Sequence, residues 1–449
     1  MLPSGKSKIL NMKFPSAIRA FLPAFLMLLV FSSCEIEDQI DPNGPSINSV
    51  LNDASITELN LLVSGIEGRI RNGFDTYVTA SGTVARELYK FDADPRNTSD
   101  LLGKEDAVID ANTFYLTAPF STRYRVIKNA NVLLQALDNT DAVSAAEADG
   151  YRGFANTVKA LMLSQVLDLL NENGVRVDVA DPENLGPYLS KSAGYDAILA
   201  LFDEGLSQLN GSTFTFSLSG GFAGFDTPTT FAQVNRALSA RVATRAGRYA
   251  DALTRVEGSF LDIDGDLTAG PKHVYSTASG DLLNNLFKAP GQSGDQIVVH
   301  PRITDNATAG DARLSKFNMT STPYTLDGLT GNFETALYAA STSPVDIIRN
   351  EELVLIWAEA KINSGSLGDG ATGINVIRNA AGIGDYTGEE SEAALIDELL
   401  YQRTYSLWGE GHQMFDLRRY GRLNSTFLPL DRAGDDVFTQ FPIPLSEGQ

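Results

Sequence analysis

Residue types that could do chemistry gather first at Glu410, His412 and Asp416, two carboxylates around one imidazole in a short stretch. A zinc helix needs two histidines four apart on one face, and only one stands here. The chain's 3 histidines, His273, His300 and His412, are too scattered to frame a metal site. With Arg418 and Arg419 nearby, Glu410 and Asp416 read instead as members of ion pairs that fix a terminal loop. Asp262-Ile263-Asp264-Gly265-Asp266 has the acidic alternation of a calcium loop. Its glycine is displaced from the sixth position, however, and His273 stands at the twelfth, where a bidentate glutamate belongs, so it reads as a solvated acidic turn. No G-x-S-x-G elbow, Walker A loop or Rossmann fingerprint is present. The motifs therefore assign no catalytic residue, no metal and no cofactor. Paired carboxylates for glycoside hydrolysis stay open, because 56 acidic residues supply many chance pairs.

Capturing a ligand without turning it over asks for other residues, flat apolar faces ringed by polar groups. Gly73–Asp94 concentrates them: Phe74, Tyr77, Tyr89 and Phe91 stand beside Arg86, Glu87 and Asp92. Tyr77, Arg86, Tyr89 and Phe91 are the ligand-binding candidates, with Tyr275, Tyr324 and Tyr338 as weaker ones in long loops. Nucleic acid is excluded as a partner, since a formal charge of −21 repels phosphate backbones.

The elements that must position these residues are mainly helices. Apolar residues recur at helical spacing in Arg123–Leu137 and Tyr195–Leu209, and Tyr151–Leu170 is apolar almost all round, as a helix packed on several sides should be. Thr230–Val256 predicts two helices broken at Gly247, and its Ala246–Ala252 run resembles the inter-helix turn of a tetratricopeptide repeat. Glu351–Ile362 and Thr372–Ala380 predict a related pair. Between the pairs lie insertions poor in helical signal. Ser212–Thr230 alternates Phe214, Phe216 and Leu218 with Ser and Thr, which predicts a hairpin. The loop-rich insertion around 257–344 holds a short strand at Gln296–His300, and loops of that length are usually functional.

Ala20–Phe31 is a short apolar run behind Lys13 and Arg19, which reads as the core of a signal peptide with Met1 or Met12 as its start. It ends in Phe31-Ser32-Ser33-Cys34, which resembles a bacterial lipobox with Phe in place of the usual Leu. Cys34 is the chain's only cysteine, so no internal disulfide is possible and lipidation is the role expected of it. Glu35, Glu37, Asp38 and Asp41 follow, then Pro42-Asn43-Gly44-Pro45, an acidic flexible tether. The expected organisation is a signal peptide over 1–33, a tether over 34–50 and one domain over 51–449.

The C-terminal third carries a family resemblance. Ile348–Ala360 is similar to an "R-x-x-E-x-x-L-x-x-A-E-A" helix, and Ile374–Gly382 to the "hydrophobic-N-x-x-R-x-x-A-G" element that follows it. Gln402-Arg403 and Leu407–Gly421 resemble a terminal "E-R-x-x-E-L-x-x-E-G-x-R-x-x-D-L-x-R-x-G" pattern, with Gln402 where Glu is usual and His412-Gln413 where His-Arg is common. Phe441-Pro442-Ile443-Pro444 then resembles the family's proline-rich tail. On these motifs the chain resembles the SusD/RagB family. The resemblance implies a TPR-like α-fold with an irregular lobe and minor β-hairpins, anchored by lipid to the outside of a Bacteroidetes-type outer membrane. It implies a SusC-like TonB-dependent barrel as partner, over which the chain is a lid that captures an oligosaccharide or a peptide. It further implies that the Gly73–Asp94 region contributes to the ligand site. A surface hydrolase of helical-toroid type and an adhesive lipoprotein are the alternatives.

Overall fold

The structure, a computed structural model, describes residues 47–447. Cys34, the apolar run before it and the acidic residues that follow it lie outside the described residues. After a short helix at Ile47–Asp53 come α1 (Ile56–Arg69) and α2 (Phe74–Val84). Then come α3 (Phe114–Asp138), α4 (Ala145–Leu170), α5 (Lys191–Leu209), α6 (Pro228–Arg245) and α7 (Tyr249–Glu257). After the long insertion follow α8 (Asn350–Asn363), α9 (Leu367–Ala380), α10 (Glu392–Ser406) and α11 (Gln413–Arg419). Consecutive helices pack on one another from α3 to α7, α7 packs on α8, and α8 on α9, so the expected helix-pair scaffold is present. Among the described residues no helix is long and apolar enough to cross a membrane.

Local chemistry sets the ends of these helices. Ser144 caps α4 by accepting from Glu147 N, and Glu147 returns the bond to Ser144 N at 2.8 Å. The α6–α7 turn rests on Gly247, whose φ of 70° lies in the left-handed region. There Arg248 N donates to Ala243 O and Gly247 N to Thr244 O, the paired bonds of a Schellman ending. The same pair of bonds recurs at Gly365 between α8 and α9. Helices α4 and α5 approach closely where Gly153 meets Gly205. A Cβ on Gly153 would stand 2.6 Å from the Leu209 side chain, so any larger residue would force the two helices apart.

Two expectations need correction. Ser212–Thr230 forms no hairpin: Thr213 N is tied to Ala146 O at 3.0 Å, and the segment runs as an irregular strap over α4. Phe214 and Phe216 lie 4.4 Å apart and join Tyr151, Phe154 and Phe231 in one aromatic cluster, so the alternation reflects packing on helices rather than a pleat. The hairpin stands instead in the long insertion. Strands β1 (Leu88–Asp92), β2 (Asp295–Val299), β3 (Phe317–Leu326) and β4 (Leu329–Thr335) form an antiparallel sheet in the order β1-β2-β4-β3. The β3–β4 turn is Asp327-Gly328, both at positive φ (50° and 78°), the geometry that suits a tight hairpin.

The core between α4, α6, α8, α10 and α11 is unusually ionic. Arg241 holds Glu352 with both ends of its guanidinium at 2.5 and 2.6 Å, and Arg245 pairs with Asp168. Arg403 reaches Asp416 at 2.6 Å, and Arg419 clamps Glu359. Arg241 opposite holds the Glu352 carboxyl well below the usual carboxylate range even though burial opposes this. Breaking such a pair strands a buried charge, whereas removing both partners does not. Arg241→Met is therefore expected to cost about 3–5 kcal/mol in chemical denaturation, and Arg241→Met with Glu352→Leu to regain most of that loss. A double variant no more stable than the single one would show that the pair's charge is not the issue.

Candidate functional site

The four ligand-binding candidates read from the sequence are all buried: Tyr77 at 2% exposure, Arg86 at 0%, Tyr89 at 2% and Phe91 at 6%. Tyr77 packs 5.6 Å from Phe415, lies under the Arg123 guanidinium and donates to Asp168 Oδ2 at 3.3 Å. Tyr89 and Phe91 stack at 5.4 Å, and Tyr89 Oη donates to Asp431 Oδ1 at 2.7 Å. Arg86 sits at a positive φ of 51° and donates to Asp436 O at 2.6 Å and Val84 O at 3.1 Å. In this conformation none of them offers a face to a ligand. Together they bind the lobe to the C-terminal segment. Of the weaker candidates, Tyr324 spends its hydroxyl on Glu334 at 2.8 Å and Tyr338 packs half-buried on the core. Tyr275 is half-buried on the core as well, but it also lines an open cleft.

The Glu410–His412–Asp416 group is also inside. Glu410 pairs with Arg349, Asp416 with Arg403 and, at 3.1 Å, with Arg419. Arg418 departs from the expected ion pairing: it donates to the carbonyls of Asp168 and Thr439 at 2.8 and 3.1 Å. Burial pushes the His412 imidazole well below its ordinary range, which keeps it a neutral packing group beside Arg245. In the acidic turn, Asp262 and Asp266 accept from the backbone of Asp264 and Thr268 at 3.1 and 2.8 Å. Among the described residues no group of three or more His, Cys, Asp or Glu could hold a metal.

One open cleft is built by three pieces: the α1–α2 junction, the N-terminal third of α3 and the loop 275–286. It encloses about 290 Å³ and is lined by Arg71, Asp75, Thr122, Tyr275, Leu282 and Asn285, among others. Gly73 makes the junction possible. Its φ is 64°, and a Cβ there would stand 3.0 Å from Thr122 Oγ1. Arg123 Nη1 fixes the wall by donating to Asn72 O at 2.9 Å. The loop is pinned at Asn284, whose amide donates to Ser343 O at 3.0 Å while its backbone N donates to Ser341 O at 2.7 Å. That anchor holds Leu282 and Leu283 outward at 39% and 45% exposure.

The cleft's polar groups have partners of their own. Arg71 pairs with Asp281 and lies 5.2 Å over the Tyr275 ring. Asp281 also accepts from Ser276 Oγ at 2.5 Å and Leu282 N at 2.8 Å, which with Arg71 holds its carboxyl below the usual range. Asp75 accepts from Asn285 Nδ2 at 3.2 Å. Asp281 is thus fully engaged, while the Asp75 carboxylate accepts this one bond. Amides, a cation, a tyrosine and exposed leucines around a concave surface suit hydrogen-bonding and stacking with an uncharged polyhydroxylated ligand. Of these residues the sequence picked out Tyr275 by name, and Gly73 and Asp75 only as part of the Gly73–Asp94 segment. The others carry no motif, and their one signal is their place in a long loop or at a helix junction.

Residues 304–443 match the SusD family. Among solved structures, surface glycan-binding protein A from Bacteroides thetaiotaomicron is similar at 15% identity over 88% of this chain and 96% of its own, with a TM-score of 0.70. The same protein in complex with laminarihexaose gives 0.69 at 15% identity, over 88% and 97%. A SusD superfamily protein from Bacteroides vulgatus gives 0.65 at 16% identity, over 87% and 96%. At such identities the likeness is one of fold, and it agrees with the motifs from Val345 onward. No curated protein matches the chain.

One titration in this region has a clear sign. Glu87 is buried, accepts from Gly409 N at 2.9 Å, and leaves Oε2 without a partner. Burial pushes its carboxyl up to about 7 from an ordinary 4.5. Between those pH values the folded chain keeps a proton that the unfolded chain has released, so stability falls as pH rises through this window. Glu87→Gln removes the slope. Relative to the native chain, the variant is expected to gain about 3 kcal/mol between pH 4.5 and pH 8 in denaturant titrations. A difference that stays flat with pH would show that Glu87 is not protonated when folded.

Proposed function

We propose, from the premise that this is a SusD/RagB-family chain, that it captures an oligosaccharide at the cell surface without turning it over. It then serves as the lid of a SusC-like TonB-dependent outer-membrane importer. The observation that carries the reading is the cleft at Tyr275. It offers an aromatic ring, a cation, amides and exposed leucines in one concavity, while Asp75 and Asp281 are both engaged. The hold of Arg71, Ser276 and Leu282 on Asp281 argues against the helical-toroid hydrolase, which needs two working carboxylates about 5–9.5 Å apart. The laminarihexaose bound by the similar surface glycan-binding protein favours a glycan over a peptide.

On this reading residues 1–33 are removed, Cys34 carries the lipid, residues 34–50 are the tether and residues 51–449 form the binding domain outside the outer membrane. No nucleic acid and no cofactor takes part. Tyr77, Arg86, Tyr89 and Phe91 act on the ligand only through the frame they hold.

Isothermal titration against oligosaccharides and peptides, with product analysis of each mixture, tests capture. Tyr275→Ala and Asn285→Ala are expected to weaken binding by roughly 5- to 100-fold, the effect of losing about 1–3 kcal/mol of contact, with little change in melting temperature. Tyr89→Ala should unfold the protein more easily instead. Cleavage products would restore the hydrolase, and a peptide ligand would keep the lid but change its cargo. For the anchor, Cys34→Ala is expected to leave an uncleaved precursor or a soluble protein. Mass spectrometry finding an unlipidated N-terminus downstream of Cys34 in membrane fractions would sink it.

A further inference from the structure

A second cleft of about 270 Å³ lies on the other side of Arg71. It is floored by Ile70, Leu218 and Phe222 and edged by Ser64, Ser217 and Lys272. The two clefts share walls. Ile70 and Arg71 line the second, and Arg71, Asn72 and Gly73 the first; Lys272, His273 and Val274 line the second, and Tyr275 the first. Two consecutive stretches of chain therefore run side by side past both concavities. Arg71 lines both, with Asp281 and Tyr275 against its side chain.

That shared side chain is partly open to water. The Arg71–Asp281 pair is 12% and 24% exposed, and its Coulomb attraction is weakened by water at its rim. Arg71 uses Nε on Gly68 O at 3.2 Å and Nη2 on Asp281. Among the described residues Nη1 has no acceptor, so it is free to donate to a ligand crossing above it. Size points the same way. Pockets that enclose a small ligand measure about 300–1000 Å³. The two clefts, at about 270 and 290 Å³, stand at the lower edge of that range, and together they lie well inside it.

We propose that the two clefts are one binding groove, in which an extended oligosaccharide lies across Arg71. One part of the chain rests by Tyr275, and the rest continues over Leu218 and Phe222 between the Ser64 and Ser217 hydroxyls. This rests on the capture reading above and adds to it that the oligosaccharide is held across both clefts and recognised by length. The second cleft is edged by hydroxyls, with a lysine held by Asp346, so it suits sugar rings rather than a second fixed anion.

The test is a titration series with laminari-, malto- and xylo-oligosaccharides of about two to six sugars, against the native protein and two variants. Ser64→Trp and Ser217→Trp fill the second cleft from opposite rims, and both positions are exposed, so melting curves should match the native protein. In the series that binds, affinity should rise at least about tenfold from the shortest to the longest member. Each tryptophan should abolish that rise while leaving the shortest binder unchanged. Equal affinity at all lengths, or variants that keep the rise, would overturn the joint groove while leaving capture at Tyr275 intact. Absence of binding to every series would overturn the glycan reading and the groove with it. If one variant misfolds, the other decides.

Discussion

Buried charge must be paired, and this requirement organises the molecule. Arg241 and Arg245 leave α6 in different directions, one to Glu352 on α8 and one to Asp168 on α4. Arg403 on α10 meets Asp416 on α11, and Arg419 on α11 meets Glu359 on α8. Three of these pairs join segments 60 or more residues apart and Arg403–Asp416 spans 13, and each fails badly if one partner is out of place. Hydrophobic burial would tolerate a helix sliding by part of a turn; a bidentate arginine on a carboxylate does not. The ion pairs therefore supply register to a scaffold whose apolar packing alone is permissive.

The same logic explains why Tyr77, Arg86, Tyr89 and Phe91 of Gly73–Asp94 are framework, while Gly73 and Asp75 line the cleft. The turn at Arg86-Glu87 receives bonds from three directions: Trp408 Nε1 and His300 N on Glu87 O at 3.1 and 3.2 Å, Gly409 N on the Glu87 carboxyl, and Arg302 Nε on Arg86 O at 2.7 Å. It joins the sheet, the insertion and the C-terminal motif. A segment holding those three together is covered by them, so its tyrosines lie inside. Composition signals that such residues matter, but it does not distinguish holding from binding.

Legibility followed the same division. Helix ends set by local chemistry could be read closely: the break at Gly247 and the strand at Gln296–His300 both fall where expected, the latter within one residue of β2. The helix pairs from Arg123 to Ala380 stand as their apolar spacing predicts, because that spacing is a direct record of which face is buried. The hairpin was misplaced since Phe214 and Phe216 alternate for packing reasons, while Asp327-Gly328, a true turn signal, lay in a polar stretch with weak alternation. The cleft was nearly illegible. Arg71 and Asp281 are brought together across a wide sequence separation, and neither position has a spacing that marks it.

Why the cleft should be illegible follows from what a capture surface is. Residues that hold a fold are constrained by their neighbours in the chain, through caps, helical period and paired charge, and so leave patterns. Residues that hold a ligand are constrained by a molecule that the sequence does not contain. Here the frame ends at Gly73, Arg123 and Asn284, each locked by bonds within the protein. Beyond it, Leu282, Leu283 and Asn285 stand exposed on a loop that the frame holds still. Anchoring such a loop lowers the ordering cost of binding, since its exposed side chains need not be immobilised from a freely moving segment. The ionic core and the cleft are thus two ends of one arrangement: a scaffold fixed tightly enough by buried charge lets an unpatterned loop keep a defined shape.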